Sequence, residues 1–177
     1  MSEGDESHLE PACDRVLQYA PVTPFEERFL ALGDSIPPLV EIPSDSTYAY
    51  WRRSGQLLFL AGHAPRWGRT DFRFTGKIGS DLTIGDGYAA ARLTGLNLLQ
   101  TTRQALGTLN NVVQIVDVFG VVNSAPGFTE QSKVLNGFSD LMVEIFGEAG
   151  KHSRMAIGGA ELPFNIAVEI KMIVEVR

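Results

Sequence analysis

Apolar and polar residues alternate near the end of the chain. Ile166, Val168, Ile170, Met172, Val174 and Val176 fall on one side of an extended segment, and Ala167, Glu169, Lys171, Ile173 and Glu175 on the other. A period of two marks a strand with one face in a core, so residues 166–176 are expected to form a strand with a buried face and a mixed one. A helical period governs two other stretches. From Ile84 to Leu106, the residues Ala89, Leu93, Leu96, Leu99 and Leu106 lie in one stripe at about 100° per residue, and Gly107 ends the helix. From Thr129 to Phe146, Val134, Leu135, Phe138, Leu141, Met142 and Ile145 share a face, with Gly147 at the exit.

Between these helices, Val112 to Val122 is dense in valine and isoleucine and predicts a buried strand, followed by the turn Ser124-Ala-Pro-Gly127. Tyr48 to Arg52 and Gln56 to Ala61 flank Ser54-Gly55 and predict a hairpin, and His152 to Gly158 predicts a further strand. Pro24 to Gly33 reads as a short helix that Thr23 can cap, with Glu26 and Glu27 at its positive end. Pro37-Pro38 then forces an extended linker, and residues 62–80, with four glycines and a proline, form a long loop of the kind that often carries function. The predicted order is helix, two strands, helix, strand, helix, two strands. That mixture implies an α+β fold with two long helices on one face of a sheet. The other face then needs cover, and a homo-oligomer is expected.

Composition narrows the picture. The 177 residues, 44% apolar and 20% charged, suit one domain. Residues 1–23 read as a flexible acidic tail, and residues 24–177 as a single domain with an N-terminal helical extension over 24–44. Of the formal charge of -6, residues 1–20 account for -4, because Glu3, Asp5, Glu6, Glu10 and Asp14 face Arg15 alone. The nearly neutral body offers no global attraction for a polyanion, so nucleic acid is not an expected partner. The single Cys13 allows no internal disulfide, which fits a reducing compartment. The start is acidic where a signal peptide would be basic, and no uninterrupted apolar run approaches about 18 residues. A cytoplasmic protein with no membrane association is expected.

Candidate chemistry concentrates near the C-terminus. With Pro163 turning the chain between two strands, Arg154 and Glu169 can be brought to one end of a sheet, where they would hold an anionic small molecule and move a proton or water beside it. Periodicity alone leaves a plainer reading open: Glu169 is a charge on a wetted face beside Lys171, and Arg154 an exposed strand cation. Other chemistries leave little trace. His8, His63 and His152 lack metal-ligand spacing, and Gly85-Asp-Gly87 lacks the rest of a phosphate loop and reads as a helix start. The cations Arg52, Arg53, Arg66, Arg69, Arg73 and Lys77 cluster against Asp71, either as an RNA-binding patch or as a solvated loop.

Several ordered motifs carry a family resemblance. They are Gly55-Gln-Leu-Leu-Phe-Leu-Ala-Gly-His-Ala-Pro65, the helix beginning near Ala89-Ala-Ala-Arg-Leu, Val116-Asp-Val-Phe-Gly-Val-Val-Asn123, and the closing Ser153-Arg-Met-Ala, Glu161-Leu-Pro and Val168-Glu-Ile170. Together, over roughly residues 45–177, they resemble the RidA/YjgF family, also called the endoribonuclease L-PSP or translation-inhibitor family. Glu26-Glu-Arg-Phe-Leu-Ala-Leu-Gly33, Gly76-Lys-Ile-Gly79 and Val122-Asn-Ser-Ala-Pro-Gly-Phe128 point to a longer branch, whose members mostly lack an assigned reaction.

The resemblance implies a chorismate-mutase-like α+β fold, a homotrimer, and ligand clefts between adjacent subunits. It implies hydrolysis of enamines or imines derived from amino acids, such as 2-aminoacrylate, to a keto acid and ammonia, without metal or organic cofactor. By residue matching, Arg154 binds the substrate carboxylate, Glu169 activates water or shuttles protons, Tyr48 is the cleft tyrosine, and Asn136 is the nearby helix asparagine. Two positions depart from the deaminating members: Ala156 replaces a thiol and Ala61 a serine. His63 is a candidate to compensate in substrate binding, and the expected substrate is larger or more apolar than 2-aminoacrylate. Non-catalytic binding of a small keto acid-like ligand is the alternative, and RNA cleavage or translation inhibition a third reading.

Overall fold

The structure, a computed structural model, describes residues 24–41 and 45–177. The expected acidic tail, Cys13, and the end of the N-terminal extension at 42–44 lie outside the described residues. The chain begins with helix α1 (Phe25–Leu30), followed by a 3-10 turn at Gly33–Ser35. Pro24 occupies the cap position, and Thr23 lies outside the described residues. Glu26 does more than favour the helix start: its carboxylate accepts from Leu109 N at 2.9 Å and pairs with Arg103. Phe29 is fully buried, and Phe25 meets Phe146 edge-on at 5.0 Å. The extension is therefore held to the body by apolar packing and by one carboxylate.

Strands β1 (Trp51–Ser54) and β2 (Leu57–Leu60) form the predicted hairpin. Ser54 pairs with Leu57, which places the two-residue turn at Gly55-Gln56, one position later than expected. Gly55 adopts φ 58°, a left-handed conformation that costs glycine little. Because β1 starts only at Trp51, Tyr48 stands outside the strand and is 62% exposed. Residues 62–80 are more organised than a plain loop. They contain a small hairpin of β3 (Arg66–Trp67) and β4 (Asp71–Phe72).

Helix α2 (Ile84–Leu106) keeps its predicted bounds. Thr83 and Asp86 make a reciprocal capping box, and Gly107 ends the helix with φ 78°. Its buried face differs from the predicted stripe. Leu96 and Leu99 of that stripe are buried, and so are Ala90, Ala91, Thr94, Gly95, Leu98 and Thr102, whereas Ala89, Leu93 and Leu106 are only partly so. The leucine stripe misled because α2 is enclosed on several sides, by the sheet, by the other long helix and by the 64–66 segment, and small residues let it approach closely. Helix α3 (Gln131–Phe146) buries all six residues predicted for its core face.

Strands β5 (Val112–Asn123), β6 (Ser153–Gly159) and β7 (Val168–Val176) complete a sheet in the order β1-β2-β7-β5-β6. Only β5 and β6 run parallel, joined by α3 as a crossover. Val168, Ile170, Met172, Val174 and Val176 are buried against the helices as the alternation predicts. Ala167 breaks it: placed on the mixed face by period, it is fully buried just before the strand, where its N–H donates to Phe74 O at 2.9 Å. The face away from the helices exposes Phe59 (40%), Met155 (56%) and Ile157 (41%).

The two long helices touch through glycine. A methyl group at Gly137 would collide with the Tyr88 carbonyl, whose carbon would lie 2.8 Å away, and one at Gly95 would press on Leu141 Cδ2 at 2.9 Å. Alanine is the better helix former by about 1 kcal/mol, but overpacking costs roughly 1–3 kcal/mol, and a backbone carbonyl cannot rotate aside. Gly137→Ala is expected to destabilise the protein by about 2 kcal/mol, lowering the melting temperature by about 4–8 °C in a thermal unfolding scan.

Candidate functional site

Chemistry-bearing side chains gather in two places, on opposite faces of the sheet. Glu169 of β7 pairs with Val121 of β5, and its side chain lies on the bare face over Gly62. The residue at 62 must be small, because a Cβ there would overlap the carboxylate and stand 3.0 Å from Cδ. The segment that carries Gly62 is fixed to β7 by paired hydrogen bonds, His63 N to Ile170 O at 2.8 Å and Ile170 N to His63 O at 3.1 Å. Glu169 has no hydrogen-bond or ion-pair partner among the described residues. Burial raises its carboxyl pKa above the ordinary glutamate value.

Around it lies a cleft of about 220 Å³ lined by Tyr48, Tyr50, His63, Arg66, Phe72 and Phe164 among others. Tyr48 and Tyr50 have ring centroids 5.8 Å apart, and Phe72 stacks on Phe164 at 4.5 Å with an interplanar angle of 12°. Phe164 is 71% exposed and left-handed at φ 57°, as is Asn165 at φ 54°. Such conformations cost non-glycine residues roughly 1–2 kcal/mol each. Fully buried Asn123 helps to hold them, donating from Nδ2 to Asn165 Oδ1 at 3.1 Å and accepting from Lys77 Nζ at 3.1 Å. The long 62–80 segment and the 163–166 turn therefore build an aromatic wall together.

His63 behaves differently from the expectation. It is buried, with Nδ1 2.9 Å from Ala61 O and Nε2 2.8 Å from Thr101 Oγ1. A carbonyl can only accept, so Nδ1–H donates and Nε2 accepts from the threonine hydroxyl. Both nitrogens are thereby occupied within the chain, and burial lowers the imidazole pKa to about 4. His63 forms part of the cleft wall and offers no free nitrogen to replace the polar groups absent at Ala61 and Ala156.

The second place is the helix side of β6. Arg154 donates from Nη1 to Asn136 Oδ1 at 3.1 Å and to Ser139 Oγ at 2.9 Å, and from Nη2 to Ser132 O at 3.3 Å. Behind it, His152 Nδ1 meets Gly150 O at 2.6 Å, and Nε2 meets Ser139 Oγ at 3.1 Å. The same tautomer logic makes Ser139 donate to His152 and accept from Arg154. Asn136, the helix asparagine that the resemblance places nearby, is exposed and buttresses Arg154. Ser139 and His152 were overlooked as site residues. The signal was available: Ser139 follows Asn136 by one helical turn, and His152 precedes Arg154 by two strand positions, so each shares a face with its neighbour.

Arg154 and Glu169 are not brought to one end of the sheet. Strand β5 lies between β6 and β7, pairing Val118 with Arg154 on one side and Val121 with Glu169 on the other. The turn at Pro163 carries the chain across β5 rather than closing a hairpin. Within one chain, then, the guanidinium faces the helix layer and the carboxyl the bare face.

The fold and the ordered motifs have a counterpart in a known family, whose model, described as "YjgF/chorismate_mutase-like, putative endoribonuclease", matches residues 26–176. The chain belongs to the YjgF/chorismate mutase-like family. A curated relative, protein TCP17 of Trypanosoma cruzi, is 42% identical over 133 residues, covering 75% of this chain and 82% of that protein. Among solved structures, a protein of unknown function from Agrobacterium tumefaciens is 36% identical with a TM-score of 0.75, covering 86% of this chain and 91% of its own. A Shewanella oneidensis protein with the same endoribonuclease description is 34% identical with a TM-score of 0.79, covering 87% of this chain and all of its own. The mixed sheet with helices on one face is the fold of this YjgF-type family.

In this YjgF-type chain the buried His63 has a measurable consequence. Its pKa lies below the unfolded value of about 6.5, so the stability it contributes is complete above about pH 6.5 and is lost as pH falls towards 4. The expected loss is about 3 kcal/mol. Urea midpoints at pH 7 and pH 4.5 should show it in the native protein, and His63→Gln, less stable at pH 7, should lack that part of the slope.

Proposed function

We propose that the protein hydrolyses an enamine or imine bearing a carboxylate, in a cleft formed where the Glu169 face of one subunit meets Arg154 of another in a homotrimer, without a cofactor. The observation that carries this reading is Glu169 itself, a partly buried carboxyl with no partner among the described residues and with a raised pKa, at the edge of an aromatic cleft. A carboxyl whose proton affinity is raised by burial is a better proton donor and acceptor than an ion-paired carboxylate, which would be a poor acid.

Arg154 supplies the complement. Two Nη1–H groups and one Nη2–H are held by α3, which leaves Nε–H and the other Nη2–H of the five guanidinium donors. An arginine can present two parallel bonds to a carboxylate, a geometry lysine cannot offer. Glu169 protonates the substrate to an iminium and, as the carboxylate, takes a proton from the attacking water. The carbinolamine that forms then loses ammonia after its nitrogen is protonated, leaving the keto acid. One carboxyl serves every proton transfer in that sequence.

The bare apolar patch at Phe59, Met155 and Ile157 supports association, since large exposed apolar groups on one sheet face invite a partner surface. The cleft's aromatic wall supports a substrate larger than 2-aminoacrylate. Binding without turnover is the second reading, favoured by the methyl groups of Ala61 and Ala156, which provide no hydrogen bonds to a reacting nitrogen. The basic cluster gives RNA cleavage little support. Arg53 is bonded to Gly55 O and Arg177 O, Arg73 to Asp71, and Lys77 to Glu161 and Asn123.

Imines generated in place from several amino acids by an oxidase, and trapped with semicarbazide, test the chemistry. The native protein should reduce trapping, and Arg154→Ala and Glu169→Gln should each lose at least about 100-fold of that rate. Equal trapping with native and variant proteins, alongside Arg154-dependent binding of keto acids, would select the binding reading. Native mass spectrometry should give three times the 19.3 kDa chain mass; a monomer would break the shared cleft.

A further inference from the structure

Arg66 stands in the Glu169 cleft, and the proposed reaction makes no use of it. It belongs to β3, pairs with Phe72 of β4, and lines the same cleft as Glu169. Its position is held from behind by buried Asn97, whose Nδ2 donates to Arg66 O at 2.9 Å and to Leu93 O at 3.0 Å. The guanidinium lies 5.7 Å from the Tyr50 ring centroid, and Nη2 donates to Tyr50 Oη at 3.1 Å. That is its one hydrogen bond among the described residues. Nε is buried and unpartnered, Nη1 has no acceptor, and no carboxylate lies within ion-pair distance. Of the cationic cluster read from the sequence, this arginine alone lines the aromatic cleft.

A guanidinium held rigidly against a tyrosine, with donors to spare and no counter-charge, is arranged for an anion that the chain does not supply. Glu169, the carboxylic acid in the cleft, lies outside ion-pair distance of it. The carboxylate assigned to Arg154 of a neighbouring subunit is already paired with that guanidinium, which leaves Arg66 without a counter-charge. We propose that Arg66 binds a second acidic group on the ligand, so that this cleft selects substrates with two carboxylates: one held by Arg154 of a neighbouring subunit, the other by Arg66 between Tyr50 and the Phe72–Phe164 stack. The inference rests on the shared-cleft reading above and adds the substrate class.

A matched pair of five-carbon keto acids tests it without requiring turnover. 2-Oxoglutarate and 2-oxopentanoate differ only in a terminal carboxylate in place of a methyl group. In calorimetric titrations of the full-length protein, 2-oxoglutarate should bind about 10- to 100-fold more tightly. Arg66→Met should remove most of that preference and leave 2-oxopentanoate within about twofold, Arg66→Lys should restore part of it, and Arg154→Ala should weaken both acids. Equal native affinities, no binding of either acid, or an Arg66→Met effect of equal size on both would overturn the proposal. Selective binding without imine turnover would uphold it while removing the catalytic reading, and turnover without selectivity would do the reverse.

Discussion

Both long helices lie on one face of a five-stranded sheet, and that asymmetry organises everything else in the molecule. It is possible because α2 and α3 meet at glycine, with Gly95 and Gly137 letting side chains and backbone of the facing helix approach where a Cβ would stand. With both helices accommodated there, the alternation of β5 and β7 sends Val118, Val122, Ile170 and Met172 into the core. The same alternation sends Glu169 and Lys171 outward. The candidate residues then lie on the bare face and at the edge strand β6.

That division separates the candidate residues into two clusters within one chain. On one face, a carboxyl sits over Gly62 among aromatic rings, its proton affinity raised by lost hydration. On the other side, a guanidinium is held by three helix acceptors and backed by Ser139 and His152. Three hydrogen bonds to one helix fix the arginine side chain in a single orientation. Strain plays a similar part at Phe164 and Asn165, whose left-handed backbones are held by buried Asn123 and keep an exposed ring against Phe72.

The histidines show how context separates residues that look alike in a sequence. His63 and His152 each place Nδ1 against a backbone carbonyl two residues earlier and Nε2 against a hydroxyl. Burial lowers the pKa of both, and both ring nitrogens of each are taken within the chain. Their work is to orient neighbours: His63 braces the segment bearing Gly62, and His152 sets the serine that meets Arg154. Arg66 is the converse case, since in the sequence it was one cation among six, and folding alone of them set it in the cleft.

The periodicities of α3, β5 and β7 carried the architecture, because a period of 3.6 or 2.0 reports directly which side of an element is dry. They also determined that Glu169 faces away from the core, and the ordered motifs determined the family. The α2 stripe held only at Leu96 and Leu99, since a helix enclosed on several sides is buried by its small residues as much as by its leucines. The sequence could not reveal that β5 would insert between β6 and β7, because strand order depends on pairing between segments distant along the chain. That single topological fact separates Arg154 from Glu169. Only the tertiary structure could therefore decide that Arg154 and Glu169 lie on opposite faces of the sheet within one chain.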